Sequence, residues 1–269
     1  MEGKRISQSP TNNIPDESFA DEEEERLFYR FFKDVSWRII NEYIPKRKKK
    51  ILEINDKHGM WFIDLARQKH KITLIVRGNR NFKYASLLVS KNEMEKYVEV
   101  LNIDFSDITK MIEDRFDIII ADGDTISTYQ KYRELIKDLV SLLKKNGILI
   151  ACFENRYYNI KKFIPNLNLE LLRTFLKTGD IYYIGKENEL IFLYHAFTPE
   201  EIFDYFKELG LKVLKIAGRL VLPWRIIKKY LKKSDNYQLL VDIECELNEI
   251  PYLFSSSKQL IFIARKEQK

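Results

Sequence analysis

A short apolar run that carries an acidic residue, Ile51-Leu52-Glu53-Ile54, leads into a loop closing at Gly59, and a helical pattern follows at once. Strand, loop and helix in that order open a cofactor-binding half-domain. The carboxylate of Glu53 stands at the strand end, and Gly59 is the kind of residue that lets a backbone approach a ligand. Asn102-Ile103-Asp104-Phe105, Ala121-Asp122-Gly123-Asp124 and Glu154-Asn155 each follow a further apolar run, so their acids gather at the same end of successive strands. Open α/β sheets bind ligands there. Each acid also has a plainer use. Glu53 can pair with the basic run before it, Asp104 and Asn155 can cap the helices they precede, and Asp122 and Asp124 suit turn chemistry around Gly123.

The elements that would position these groups alternate regularly. Residues 21–44 carry apolar side chains at helical spacing behind an acidic start, and Pro45 stops the helix. Strands are expected at 51–54, 72–76, 98–102, 116–121 and 148–153, with helices near 59–69, 80–90, 106–114 and 128–145 between them. Asn146-Gly147 is a helix-stop signal. Near-continuous apolar strands in βα units imply a parallel sheet covered on both faces, and right-handed crossovers make it doubly wound. Residues 156–195 break the rhythm with an insert holding a hairpin around Gly185-Lys186-Glu187-Asn188. Thr198, Pro199 and Glu201 then open a capped helix that Gly210 ends. A strand at 211–216, a second insert at 219–257 and a last strand at 259–264 complete the chain. The expected organisation is a disordered leader at 1–20, a helix and basic linker at 21–50, and one domain at 51–269.

Composition narrows the function classes. Hydrophobic residues make up 45% and charged residues 32%, a globular balance. No apolar run is long enough to span a bilayer, and the first residues lack the apolar core of a secretory signal. Two cysteines without a CxxC, and His58, His70 and His195 far apart, offer no metal-ligand spacing. The expectation is a cytoplasmic protein without a metal site. The net charge of +6 leaves a nucleic-acid partner open without favouring one, because lysines are interspersed with glutamates throughout. The dense run Lys46-Arg47-Lys48-Lys49-Lys50 reads as a solvated linker before the first strand.

Taken together these positions resemble the class I S-adenosylmethionine-dependent methyltransferases over about 51–265. Glu53 to Gly59 looks like the first motif, Asn102-Ile103-Asp104 like the end of strand 3, and Phe116 to Asp122 like strand 4. Leu142-Leu143-Lys144-Lys145-Asn146-Gly147 is similar to the entry to strand 5, Tyr194 to Glu201 to the late helix of small-molecule members, and Leu260 to Lys266 to their final strand. The resemblance implies a Rossmann-like sheet of seven strands in the order 3-2-1-4-5-7-6, the last antiparallel, with a helical N-terminal extension and cap inserts. It implies S-adenosylmethionine as cofactor, held by Glu53, Asn55, Gly59, Asp104, Phe105 and Asp122. It offers Glu154 for acceptor contact and His195 as general base. Two departures stand out. Asn55 and Lys57 occupy glycine positions of the first motif, and the second strand ends in Val76-Arg77 where the family has a ribose-binding acid. An Arg there also suits a 2′-phosphate, but the loop lacks the GxGxxG of an NADP site.

The functional expectation is methyl transfer to a small-molecule acceptor, a metabolite, glycan or lipid precursor. The alternatives are a catalytically inactive methyltransferase-like scaffold or subunit, and an RNA methyltransferase. Methyl transfer from a sulfonium asks mainly for alignment, and needs a base only where the nucleophile is protonated.

Overall fold

The computed structural model describes residues 22–55, 59–163, 169–184, 190–231 and 236–267. Helix α1 (Glu22–Asn41) begins with four glutamates, whose charge suits the positive end of the helix dipole. Four parallel βα units follow: β1 (Lys50–Asn55), α2 (Phe62–Arg67), β2 (Lys71–Val76), α3 (Asn79–Lys91), β3 (Val98–Asn102), the short α4 (Ile108–Met111), β4 (Phe116–Ala121) and α5 (Tyr132–Leu142). β5 (Leu143–Glu154), α6 (Arg156–Asn159) and α7 (Leu169–Thr178) lead to a separate antiparallel pair, β6 (Asp180–Ile184) and β7 (Leu190–His195). The chain ends with α8 (Pro199–Glu208), β8 (Leu211–Arg219), α9 (Trp224–Leu231), α10 (Tyr237–Leu247) and β9 (Gln259–Lys266).

The main sheet has seven strands in the order β3-β2-β1-β4-β5-β9-β8, with β9 antiparallel to both neighbours. This is the expected order, with β8 and β9 as the sixth and seventh strands. The central strands are apolar on both faces, Ile51, Leu52 and Ile54 among them, because helices cover both. One layer is α1, α2, α3, α9 and α10, whose Phe28, Phe31, Leu65, Ala85, Trp224 and Val241 pack in a single cluster with Ile118 and Ile263. The other is α4, α5 and α8, around Phe105, Leu139, Phe206 and Phe262. The second insert therefore completes a helical layer. Trp224 and Lys228 bond Glu24 of α1 at 3.1 and 2.8 Å, the Tyr237 hydroxyl donates to Asp34 at 2.6 Å, and Arg38 pairs with Asp242.

Several boundaries differ from the sequence reading: the helices expected at 59–69, 106–114 and 128–145 are the shorter Phe62–Arg67, Ile108–Met111 and Tyr132–Leu142, and the strand expected at 211–216 runs on to Arg219. The helix expected to reach residue 145 ends at Leu142, and β5 already begins at Leu143, paired with Phe116. Burial of Leu142 and Leu143 fixes this, and the register slips before Ile118 pairs Ile148. Asn146 turns the backbone there at φ 60°, a left-handed value that Asn tolerates. Asn-Gly thus serves a bulge inside a strand instead of a helix stop. The turn expected at 185–188 and the leader lie outside the described residues.

Candidate functional site at the carboxyl edge of the sheet

β1 delivers Glu53 to the sheet edge as a wholly buried carboxyl. Its Oε1 accepts from the backbone N–H of Met60 at 2.6 Å and of Trp61 at 3.1 Å, tying the strand to the entry of α2. Its Oε2 is buried without a hydrogen-bond partner among the described residues. Burial pushes this carboxyl up to about 7, more than the backbone N–H groups of Met60, Trp61 and Phe62 pull it down, and Asp122 adds to the rise. Gly59 closes the loop at φ 82°, where a Cβ would meet Leu74 and Phe62 at 3.0 Å. Asn55 ends β1 in ladder register with Val76, and Gly59 takes a left-handed φ. Lys57 and His58 lie outside the described residues.

Asp122, just past β4, is not open to the edge. Its Oδ2 accepts from the Trp61 indole N–H at 2.8 Å, and its Oδ1 from Arg219 Nη1 at 2.8 Å. Arg219 comes from the end of β8 and is fully buried. Its guanidinium stacks 4.1 Å from the Phe32 ring centroid, bonds Ser36 Oγ at 3.2 Å, and reaches Cys152 Sγ at 2.7 Å and Gln259 Oε1 at 2.5 Å. Gln259 opens β9, and its amide N–H donates to Asp124 Oδ1 at 2.6 Å and Glu154 Oε1 at 2.7 Å. Glu154 Oε2 accepts from Asn159 at 3.3 Å. Four of the predicted acids, Glu53, Asp122, Asp124 and Glu154, thus converge on one edge, with Trp61, Arg219 and Gln259 wedged among them. Buried charges and amides of this kind are stable only when paired, and here the pairing is internal.

His195 lies in a buried cluster beside this edge, its backbone N–H donating to the Ser127 carbonyl at 2.8 Å. It is 2% exposed, with Nδ1 2.6 Å from Asp180 Oδ1, Nε2 3.0 Å from Glu201 Oε1, and Tyr132 stacked at 4.3 Å. Thr198 caps α8 by accepting from the Glu201 N–H at 3.2 Å. The Glu201 carboxylate, instead of returning to the cap, binds Arg156 at 2.5 Å. Burial pushes that carboxyl up, and His195, Arg156 and Arg133 outweigh it, holding it below the usual carboxylate range. His70 is buried and accepts from the Lys49 N–H at 3.1 Å. Asn155 caps α6 and also donates to the Ser257 carbonyl at 2.7 Å.

At the other end of the same edge, Asp104 caps the turn at Phe105 by accepting from the Ser106 N–H and hydroxyl at 2.9 and 2.8 Å. The Ser106 N–H bond first, and Arg77 in addition, hold its carboxyl below the usual range. Phe105 is fully buried, with the Arg77 guanidinium 4.7 Å over its ring and 5.6 Å from that of Tyr129. A cation thus stands where strand 2 of the family presents its ribose acid.

Trp61, Arg219 and Gln259 escaped the sequence reading. Each left a faint signal: Arg219 and Gln259 are polar ends of the apolar runs 211–219 and 259–264, and Trp61 sits in the Gly59-Met60-Trp61 entry to α2. Among the described residues no group of His, Cys, Asp and Glu is arranged to hold a metal ion. No described helix is long and apolar enough to cross a membrane.

The chain matches no family profile and no curated protein. Solved structures do resemble it. One S-adenosylmethionine-dependent methyltransferase from Methanosarcina mazei is 16% identical at a TM-score of 0.55, covering 86% of this chain and 98% of its own. Magnesium protoporphyrin IX methyltransferase from Synechocystis, crystallised with S-adenosylhomocysteine, is 12% identical at 0.57, covering 94% and 91%. The [4+2]-cyclase SpnF is 14% identical at 0.58, covering 88% and 82%. Strand order, the antiparallel β9 and these likenesses agree: the chain has the fold of the class I S-adenosylmethionine-dependent methyltransferases.

Proposed function

We propose that this chain is a non-catalytic member of the methyltransferase fold, a scaffold or subunit whose former cofactor edge has become core. The observation that carries the reading is the buried Arg219–Asp122 pair, joined to Trp61, Gln259, Asp124 and Glu154. The residues present do not suit S-adenosylmethionine. Recruiting Asp122 to a ligand means separating it from Arg219, and breaking one side of a buried ion pair costs about 3–5 kcal/mol. The ribose diol meets Arg77 instead of an acid, a further loss of about 1–3 kcal/mol. Together these exceed about 4 kcal/mol, roughly a thousandfold in Kd. Cys152 and Cys245, both unpaired, fit a reducing cytoplasm.

Calorimetric titration of the whole chain with S-adenosylmethionine and S-adenosylhomocysteine tests this. The expected result is no saturable heat for either at about 1 mM; a Kd below about 0.1 mM for either would overturn it.

One observation favours the second reading, methyl transfer to a small-molecule acceptor. Glu53 keeps one oxygen buried and without a partner among the described residues, where the cofactor's ammonium group would complete it. In that reading Glu53, Asn55, Gly59, Asp104, Phe105 and Asp122 hold the cofactor, and Glu154 and His195 face the acceptor. Binding in the titration, weakened by Asp104→Ala, would establish it in place of the scaffold.

A further inference from the structure

We propose that the opposite edge of the sheet, at the N-terminal ends of the parallel strands, binds the phosphodiester backbone of single-stranded nucleic acid. Two grooves meet there at Lys49. One, of about 410 Å³, is lined by Arg47, Lys49, Lys144, Lys145 and Arg265, and Asp117 is its single acidic lining residue. Asp117 is already engaged: it accepts from the Lys50 N–H at 2.9 Å, Lys144 Nζ at 3.1 Å and Lys49 Nζ at 3.3 Å. Arg47, Lys145 and Arg265 make no ion pair among the described residues, and all three are exposed. Their charge is therefore uncompensated, which is the electrostatic condition for capturing phosphates and releasing their counterions.

The second groove, of about 530 Å³, carries five lysines, Lys48, Lys49, Lys50, Lys71 and Lys96, beside Tyr97, against three acids, Glu95, Glu99 and Asp114, of which Asp114 pairs with Lys50. The Lys71 and Lys96 ammonium groups lie 5.7 and 5.9 Å from the Tyr97 ring centroid. A half-buried aromatic ring between two cations is the pairing of stacking platform and backbone clamp that single-stranded nucleic acids use. The lining runs from β3 through β2, β1, β4 and β5 to β9. Five strand spacings make this a track of about 24 Å, longer than one phosphate requires.

The shape of the edge favours a strand over a membrane. Both basic surfaces are concave, and none of the large exposed apolar side chains lies among their lining residues, so nothing there would insert into a bilayer. The basic run 46–50, a solvated linker by sequence, is thus folded along a groove with cations from β5 and β9. The proposal does not depend on the fate of the cofactor edge and uses none of its residues.

Fluorescence anisotropy of a labelled single-stranded RNA of about 20 nucleotides, titrated with the whole chain, tests it. At about four phosphate contacts log K should fall by roughly 3 per decade of salt. Lys145→Glu with Arg265→Glu should weaken binding at least about tenfold, and Tyr97→Ala should weaken it about tenfold while leaving the salt slope unchanged. Arg225→Glu with Lys229→Glu, the same charge change on exposed positions of α9, should stay within about twofold. No binding at roughly 50 mM salt would overturn the proposal. So would equal losses in the two double variants, or capture by phosphatidylserine vesicles without RNA binding.

Discussion

The two edges of this sheet carry charge in opposite ways. At the carboxyl edge Arg219, Asp122, Glu154 and Gln259 are each no more than 3% exposed and bound to one another. At the amino edge Arg47, Lys145 and Arg265 face solvent with no pair among the described residues. Burial makes the first set interdependent, since a charge removed from water is tolerated only beside its partner. Exposure makes the second set independent and sensitive to salt. A protein can build rigidity from the first arrangement and receive a polyanion with the second, but hardly the reverse. The edge at which open α/β sheets bind ligands is here the one whose charged residues are buried.

The largest test of that contrast is Arg219→Met. It leaves Asp122 as an unpaired buried carboxylate and should cost about 3–5 kcal/mol of unfolding free energy, read by urea titration. Adding Asp122→Asn should recover part of the loss; two simply additive losses would break the picture of one coupled unit. Next comes pH. Glu53 has a folded value of about 7 against an ordinary 4.5, so the folded state holds the extra proton between those values. Its contribution is complete below about pH 4.5 and is lost as the pH rises through 7, about 3 kcal/mol in all. Glu53→Gln should flatten that slope and leave the protein more stable than the parent at pH 8. A slope unchanged by the substitution would mean another group titrates.

A smaller effect is expected at Trp61→Phe, which keeps most of the packing against Trp37 and deletes the indole bond to Asp122. The loss should be about 1–2 kcal/mol by thermal or urea unfolding. Smallest of all is the amino edge itself. Lys145→Glu with Arg265→Glu should alter stability by no more than about 0.5 kcal/mol, because neither cation is buried, or paired among the described residues. A loss near that of Arg219→Met would erase the difference between the edges.

Much of the fold was legible in the chain. Apolar runs such as 116–121 between amphipathic segments leave few arrangements besides a parallel sheet with two helical layers. The final strand, 259–266, fell in its family place between β5 and β8. Helix ends were less legible: Asn146-Gly147 has the same local chemistry as a helix stop or a bulge, and the choice went to the bulge because Leu142 and Leu143 are buried. The candidate site was legible as a place and not as a state. Glu53, Asp122, Asp124 and Glu154 each follow a strand, so their common edge could be read from the sequence. That Arg219 and Gln259 would meet them could not, because those residues lie 97 and 105 positions from Asp122 and Glu154.

The sequence by itself determined the strands, the two apolar layers and the edge on which the acids collect, because periodicity and strand-end placement are local properties of the chain; the order of the strands was implied only by the family resemblance. Only the tertiary structure decided that those acids face a guanidinium and an amide from β8 and β9, and that Lys145 and Arg265 lie along one edge with Arg47. Both outcomes depend on the β5-β9-β8 pairing, which brings distant charges within bonding range on one edge and leaves them unmatched on the other.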